Sequence, residues 1–189
     1  MKVFTSDLHH EHRRIVEFTN RGKDTTQQRH TDWLVNLWNR NVDKGDVCYH
    51  LGDFSFAKDY ESIRSFVKAL NGTKILIKGN HDKREYLDQL VRDQLITAWY
   101  DYKEIKIADK SVVLFHYPIS SWHKQGYGSL HLHGHCHGNH ADSMGKMLDV
   151  GLDSAYNLYK EHRFFTEDDV LDLMQYKSVH VADHHKEYK

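Results

Sequence analysis

Proline is almost absent: Pro118 is the single one in 189 residues. That excludes Pro-rich hinges and polyproline recognition segments. Cysteine is nearly as scarce. Cys48 and Cys136 form no Cys-x-x-Cys pair, so neither a disulfide framework nor a thiolate metal site is expected, and a reducing compartment fits. No apolar run approaches the ~20 residues that cross a bilayer; the longest near a strand is Val112-Val113-Leu114-Phe115. The opening Met-Lys-Val-Phe-Thr-Ser-Asp carries no signal-peptide pattern, so a cytoplasmic protein without a membrane partner is expected. Neither charge sign dominates: 26 basic residues face 27 acidic ones, for a net charge of −1. An extended nucleic-acid groove normally shows a basic excess, so long nucleic acid is not an expected partner. Internal repeats and low-complexity stretches are lacking as well.

Histidine is abundant, at 17 residues. It is the commonest metal ligand and the only side chain that ordinarily titrates near neutral pH. The length predicts one domain, taken as residues 1–176, with 177–189 as a charged, His-rich tail. Five short runs read as buried strands: Lys2 to Thr5, Val47 to Leu51, Lys74 to Ile77, Ser111 to Phe115 and Leu130 to His133. A sixth, Glu104 to Ala108, alternates as a half-exposed strand. Helices are predicted over His30 to Val42, after an Asp59 cap, over Lys83 to Ile96, and from Thr166 to Met174, where Asp169 completes a capping box. Their Trp and Leu stripes read as core. This alternation predicts an α/β fold.

Each strand runs into polar residues. The first ends in Asp7-Leu8-His9, the second in Gly52-Asp53, and the third in Gly79-Asn80-His81-Asp82. The fourth ends in His116 and the fifth in Gly134-His135-Cys136-His137. Alone, each has an ordinary reading, as a cap, a turn or a core histidine. In α/β sheets, however, ligands bind beyond the carboxyl ends of the strands. Five such ends would bring O and N donors into one crevice. The glycines at 52, 79 and 134 are expected to allow the sharp turns this needs.

In this order the motifs resemble those of the calcineurin-like metallophosphoesterases, from about Lys2 to Asp153. Tyr49-His50-Leu51-Gly52-Asp53-Phe54 and Leu132-His133-Gly134-His135 look most like the small single-domain bacterial and phage members. The resemblance implies a central β-sandwich of mixed sheets flanked by helices, in four α/β/β/α layers. It implies two divalent ions, Mn²⁺ first among Fe, Zn, Ni and Co. Asp7, His9, Asp53 and His137 would hold one ion; Asp53, Asn80, His116 and His135 would hold the other, with Asp53 as bridge. Nitrogen and oxygen donors without thiolate suit such ions. The implied reaction is attack of a metal-bound hydroxide on phosphorus. His81 would act as general acid or phosphoryl donor, held by Asp82. Two departures stand out: His10-Glu11 replaces a usual Phe-Gly, and Cys136, read as a packed thiol, replaces a small apolar residue.

The substrate expectation is a small phosphodiester or nucleotide-type ester. Gly52-Asp53-Phe54-Ser55-Phe56-Ala57 lacks the Asp-Arg-Gly of phosphoprotein phosphatases, and Asp82 stands where they carry Glu. Arg13 is a candidate phosphate contact; Arg84 and His12 lie near enough in sequence but read first as surface residues. The Ser120 to Gly128 loop, with Trp122, His123 and Tyr127, is a candidate substrate wall. The alternatives are a phosphomonoesterase, a nuclease of the same superfamily, or a non-hydrolytic metal scaffold that binds a protein.

Overall fold

β-Branched side chains are stiff at χ1 and pack well on a pleated surface. The runs that carry them are strands in the computed structural model, which describes residues 1–21, 26–140 and 145–181. In chain order the elements are β1 (Lys2–Thr5), α1 (Ile15–Phe18), α2 (Gln27–Asn41), β2 (Val47–His50), α3 (Tyr60–Lys68), β3 (Thr73–Ile77), α4 (Arg84–Arg92), β4 (Ala98–Tyr100), β5 (Tyr102–Ile107), β6 (Lys110–Phe115), β7 (Leu130–His133), β8 (Met147–Asp149), α5 (Leu152–Tyr159), β9 (Phe165–Thr166) and α6 (Glu167–Gln175). One sheet runs β4-β3-β2-β1-β9, parallel except for β9. The other runs β5-β6-β7-β8, an antiparallel hairpin followed by parallel pairs. The protein is thus a mixed α/β fold with two sheets.

Successive strand residues point to opposite faces, and the burial follows that alternation. Val3, Cys48 and Leu76 face Leu37 and Trp38 of α2, Phe66 of α3 and Leu87 of α4. Phe4, Tyr49 and Ile77 share a second core with Val112, Leu114, Leu132 and Leu148 of the other sheet. The far face of that sheet buries Val113 and Met147 against Trp122 and Ile119.

Caps form as their residues dictate. Asp59 accepts a bond from Ser62 N at 2.9 Å, and Thr166 with Asp169 makes the full capping box. Helix α4 stops at Arg92, before the expected Ile96. Gln94 turns left-handed (φ 57°), and Leu90 O accepts from both Leu95 N and Ile96 N, which folds the chain back and buries Ile96. The pairs β4 and β9, each two or three residues long, and helix α5 carry too little periodic signal to have been expected. Residues 177–181 of the tail lie against the body, with Lys177 Nζ on Met147 O at 2.6 Å; the tail from 182 on, His184 and His185 included, falls outside the described residues. Among the described residues no helix is long and apolar enough to cross a membrane.

Candidate metal centre

Five parallel strands from both sheets, β1, β2, β3, β6 and β7, deliver the predicted donors just past their carboxyl ends. The chain then turns sharply. Asp7, His9, Asp53, His135 and His137 all adopt left-handed backbone, with φ of 58°, 53°, 55°, 70° and 51°. Such a conformation costs a non-glycine residue roughly 1–2 kcal/mol and clusters at functional sites. Bonds between the loops hold it: Asp7 N donates to Gly52 O and His9 N to Asp53 O, both at 3.0 Å. Of the three glycines expected to permit turns, only Gly52 needs positive φ, at 98°. Gly79 and Gly134 serve close approach. A Cβ at Gly79 would strike the Asp53 backbone and carboxylate, and one at Gly134 would strike Ser6 and the Asp7 carboxylate.

Two groups of His and Asp side chains result, each of which could hold a metal ion: Asp7, His9 and His137, and Asp53, His116 and His135, with ligand atoms within 4.8 Å of one another in each group. Asp53 faces both. Its Oδ2 lies 3.9 Å from His9 Nε2, and its Oδ1 lies 3.6 Å from His116 Nε2. The donor chemistry fits cations. His116 Nδ1 donates to Leu51 O at 2.7 Å, which in the neutral ring leaves Nε2 bare; that Nε2 faces the Asn80 Oδ1 oxygen at 3.0 Å. Likewise His137 Nδ1 is held by Asp153 Oδ2 at 2.6 Å, and its Nε2 faces His9 Nε2 at 3.1 Å. At the His116–Asn80 pair, two lone pairs that converge in this way repel unless a cation lies between them. Burial alone would raise the Asp7 carboxyl, but the bond to His9 and the His137, His9 and His116 rings hold it well below the usual carboxylate range. Burial lowers His9 and His135; at His137 burial is the largest single influence, but the Asp153 bond together with the Asp7 and Asp153 charges outweighs it and raises the ring.

His81 stands at the mouth, with its side chain 46% exposed and Nε2 3.9 Å from Asp53 Oδ2. Its ring leans on Phe56 at 4.3 Å. Asp82 does not hold it, contrary to the expectation. Both Asp82 oxygens are taken by backbone N–H groups, from Gly79, Asp53 and Phe54 at 2.9 Å and Ser55 at 3.3 Å. Asp82 therefore clamps the Asp53 loop to the Asn80 loop.

The expected substrate contacts fare differently. Trp122 is corrected: its indole packs on Val113 and Met147, donates to Ser129 O at 3.2 Å, and offers no face to a substrate. His123 is paired with Glu104 of β5 at 2.8 Å. Arg84 stacks over Trp99 and pairs with Asp101. Arg13 is exposed, and no described residue binds it. His12 lies edge-on against Phe56, with ring centroids 4.4 Å apart.

Four residues escaped the sequence reading. Arg21, fully buried at its side chain, donates to both Asp153 oxygens and to the Leu8 and Asp7 carbonyls, and so ties the His137 partner to the Asp7 loop. In the sequence Asp153 is merely an acid in the first turn of α5, which the helix dipole already explains. Phe56 stacks on His9 at 5.1 Å, and Tyr117 meets His135 at 4.6 Å, so an aromatic ring flanks each metal group.

No family model matches the chain. Over 138 residues, 72% of this chain and 69% of the relative, it is 30% identical to the uncharacterized protein MJ1445 of Methanocaldococcus jannaschii. It is 25% identical over 201 residues to the gene 66 protein of Mycobacterium phage L5, covering 92% of this chain and 93% of that one. The gene 66 protein of Mycobacterium phage D29 is 29% identical over 181 residues, covering 82% and 89%. Its fold is similar to the crystal structure of AQ665, a protein of unknown function from Aquifex aeolicus, with TM-score 0.65 and 24% identity over 92% of this chain and 98% of that one.

Proposed function

The chain belongs to the family of the uncharacterized Methanocaldococcus jannaschii protein MJ1445, and from the centre it builds we propose that it is a dinuclear metal-dependent phosphoesterase acting on small phosphodiesters. The observation that carries this reading is Asp53, whose two oxygens face two separate His-rich groups at 3.9 and 3.6 Å. One carboxylate between two cations is the arrangement of two-metal phosphoryl chemistry. Asp7, His9, Asp53 and His137 would hold one ion; Asp53, Asn80, His116 and His135 would hold the other, with Mn²⁺ the first candidate. When bound, the ions supply an activated water and neutralise charge that develops on the phosphoryl oxygens.

The remaining work falls to the chain. Asn80 ligates through its carbonyl and adds no negative charge to repel phosphate. Asp82 and Arg21 fix the loops that carry the donors. His81, exposed at the mouth, is placed to give a proton to the leaving oxygen. The diester preference is part of this proposal and is what the paired esters below test. Arg84 and Arg21 are paired with Asp101 and Asp153, which leaves Arg13 as the arginine near the motif that could meet a phosphate. The accompanying fold reading is the four-layer metallophosphoesterase sandwich, its outer layer here formed by the stretch around Ile119 and Trp122 and a single short turn at Gln125–Tyr127.

The test is turnover of bis(p-nitrophenyl) phosphate against p-nitrophenyl phosphate by the Mn²⁺-loaded protein. Metal-dependent hydrolysis that favours the diester is expected. Two bound ions with no turnover on either ester would replace this reading with a non-hydrolytic scaffold.

A further inference from the structure

A small polar cavity of about 160 Å³ opens beside His137, which is shared between its wall and the first metal group. At roughly 30 Å³ per water, it has room for about five waters, the scale of one heterocyclic ring system. Its lining is rich in amides: Asn20, Asn139 and Asn157, with Phe18 and Tyr156 at its rings. Among the described residues no lysine or arginine lines it. The one carboxylate among the described lining residues, Asp153, is already bound by Arg21 and His137. The described lining is therefore polar with its charges paired, suited to a neutral group that both donates and accepts hydrogen bonds.

Asn139 and Asn157 each use their amide N–H on the loop beside the metal, on His137 O at 3.3 Å and Gly138 O at 3.5 Å. Their Oδ1 atoms have no partner among the described residues, and Asn20 has none for either end of its amide. Amide side chains of this kind pair with base edges, and aromatic rings stack on bases. We infer that this cavity binds the base of a nucleoside phosphoester whose phosphorus reacts at the metal centre. The inference rests on the phosphoesterase reading for the reaction, and on the cavity alone for the binding.

Two diesters with the same leaving group isolate the subsite: thymidine 5′-(p-nitrophenyl) phosphate and methyl p-nitrophenyl phosphate. Wild-type protein with Mn²⁺ is expected to favour the thymidine ester in kcat/KM by about tenfold or more. Loss of one neutral hydrogen bond is a several-fold effect, so Asn20→Ala and Asn157→Ala should each raise KM for the thymidine ester about threefold to tenfold and leave the methyl ester within about twofold. A parallel fall on both esters would mean that the asparagines only support the fold, and overturns the proposal. Adenosine and thymidine, each titrated into chelator-treated protein, should shift the amide NMR signals of Asn20, Asn139 and Asn157, and Asn20→Ala should weaken that binding. If neither ester turns over with both metals bound, the phosphoesterase reading fails while this titration still decides the cavity. Signals unmoved by both nucleosides overturn it.

Discussion

Arg21→Ala should be among the most damaging single substitutions in the chain. The Arg21 side chain is fully buried, and its guanidinium makes four bonds: Nε to Asp153 Oδ1 at 3.1 Å, Nη2 to Asp153 Oδ2 at 2.8 Å, Nη1 to Leu8 O at 3.0 Å, and Nη2 to Asp7 O at 2.8 Å. Its removal leaves the Asp153 carboxylate buried without its cation and two loop carbonyls without a donor. Breaking a buried pair from one side costs about 3–5 kcal/mol, a large part of a typical total of about 5–15 kcal/mol. For a chain of this size that lowers the Tm by roughly 6–20 °C. Arg21→Lys should recover little, because one ammonium cannot reproduce the planar fork. A pair replaced on both sides by apolar groups is often neutral, so Arg21→Met with Asp153→Leu should be more stable than Arg21→Met alone. Urea denaturation of wild type, Arg21→Met, Asp153→Leu and the double variant closes this double-mutant cycle. A cost below about 1 kcal/mol for Arg21→Ala, or additive effects in the double variant, would refute the clamp.

Asp53→Ala should lower metal content at both positions, whereas Asp7→Ala should empty mainly one; elemental analysis after reconstitution with Mn²⁺ separates them, and two retained ions in Asp53→Ala would remove the bridge. Gly79→Ala should also lose metal, because the added methyl strikes the Asp53 carboxylate, and normal metal content would show that the loops can part. Chelator-treated protein should be acid-labile: burial pushes His131 down to about 4, and His50 and His30 to about 3, from an ordinary value of about 6.5. The unfolded chain therefore takes up protons that the folded one refuses, so stability is intact above pH ~6.5 and falls toward pH ~4, by about 1.4 kcal/mol per pH unit for each group; tryptophan fluorescence that shows no loss of stability between pH 7 and 4 would contradict this. His81→Ala should keep both metals and lose about 10²–10⁴-fold on alkyl diesters that need a proton, but much less on nitrophenyl esters, and equal losses on both would make His81 a phosphoryl donor instead of the acid.

Much of the site was legible because its residues sit in short linear motifs. A strand followed by Asp-x-His, Gly-Asp, Gly-Asn-His-Asp or Gly-His-x-His states both the donor and its address, since a parallel strand sends its successor residues to one edge of the sheet. The seven donors meet accordingly, in two groups with Asn80 beside the second. The linear view failed where a side chain acts on something distant in sequence. Asp82 follows His81 directly, yet its oxygens close on the backbone of residues 53–55. Trp122 lies between two ligand motifs, yet its indole completes the core beneath the second sheet.

The sequence alone determined the strand-and-helix alternation, the carboxyl-end address of the donors and the absence of soft ligands, because propensity, periodicity and residue chemistry are local properties. Only the tertiary structure decided that Gly79 and Gly134 are needed for space and not for turning, that five donors take left-handed backbone, and that Arg21 and Asp153 secure His137. Those depend on how closely separate segments approach one another, in the case of Arg21 and Asp153 across 132 residues, and no local window of sequence contains that distance.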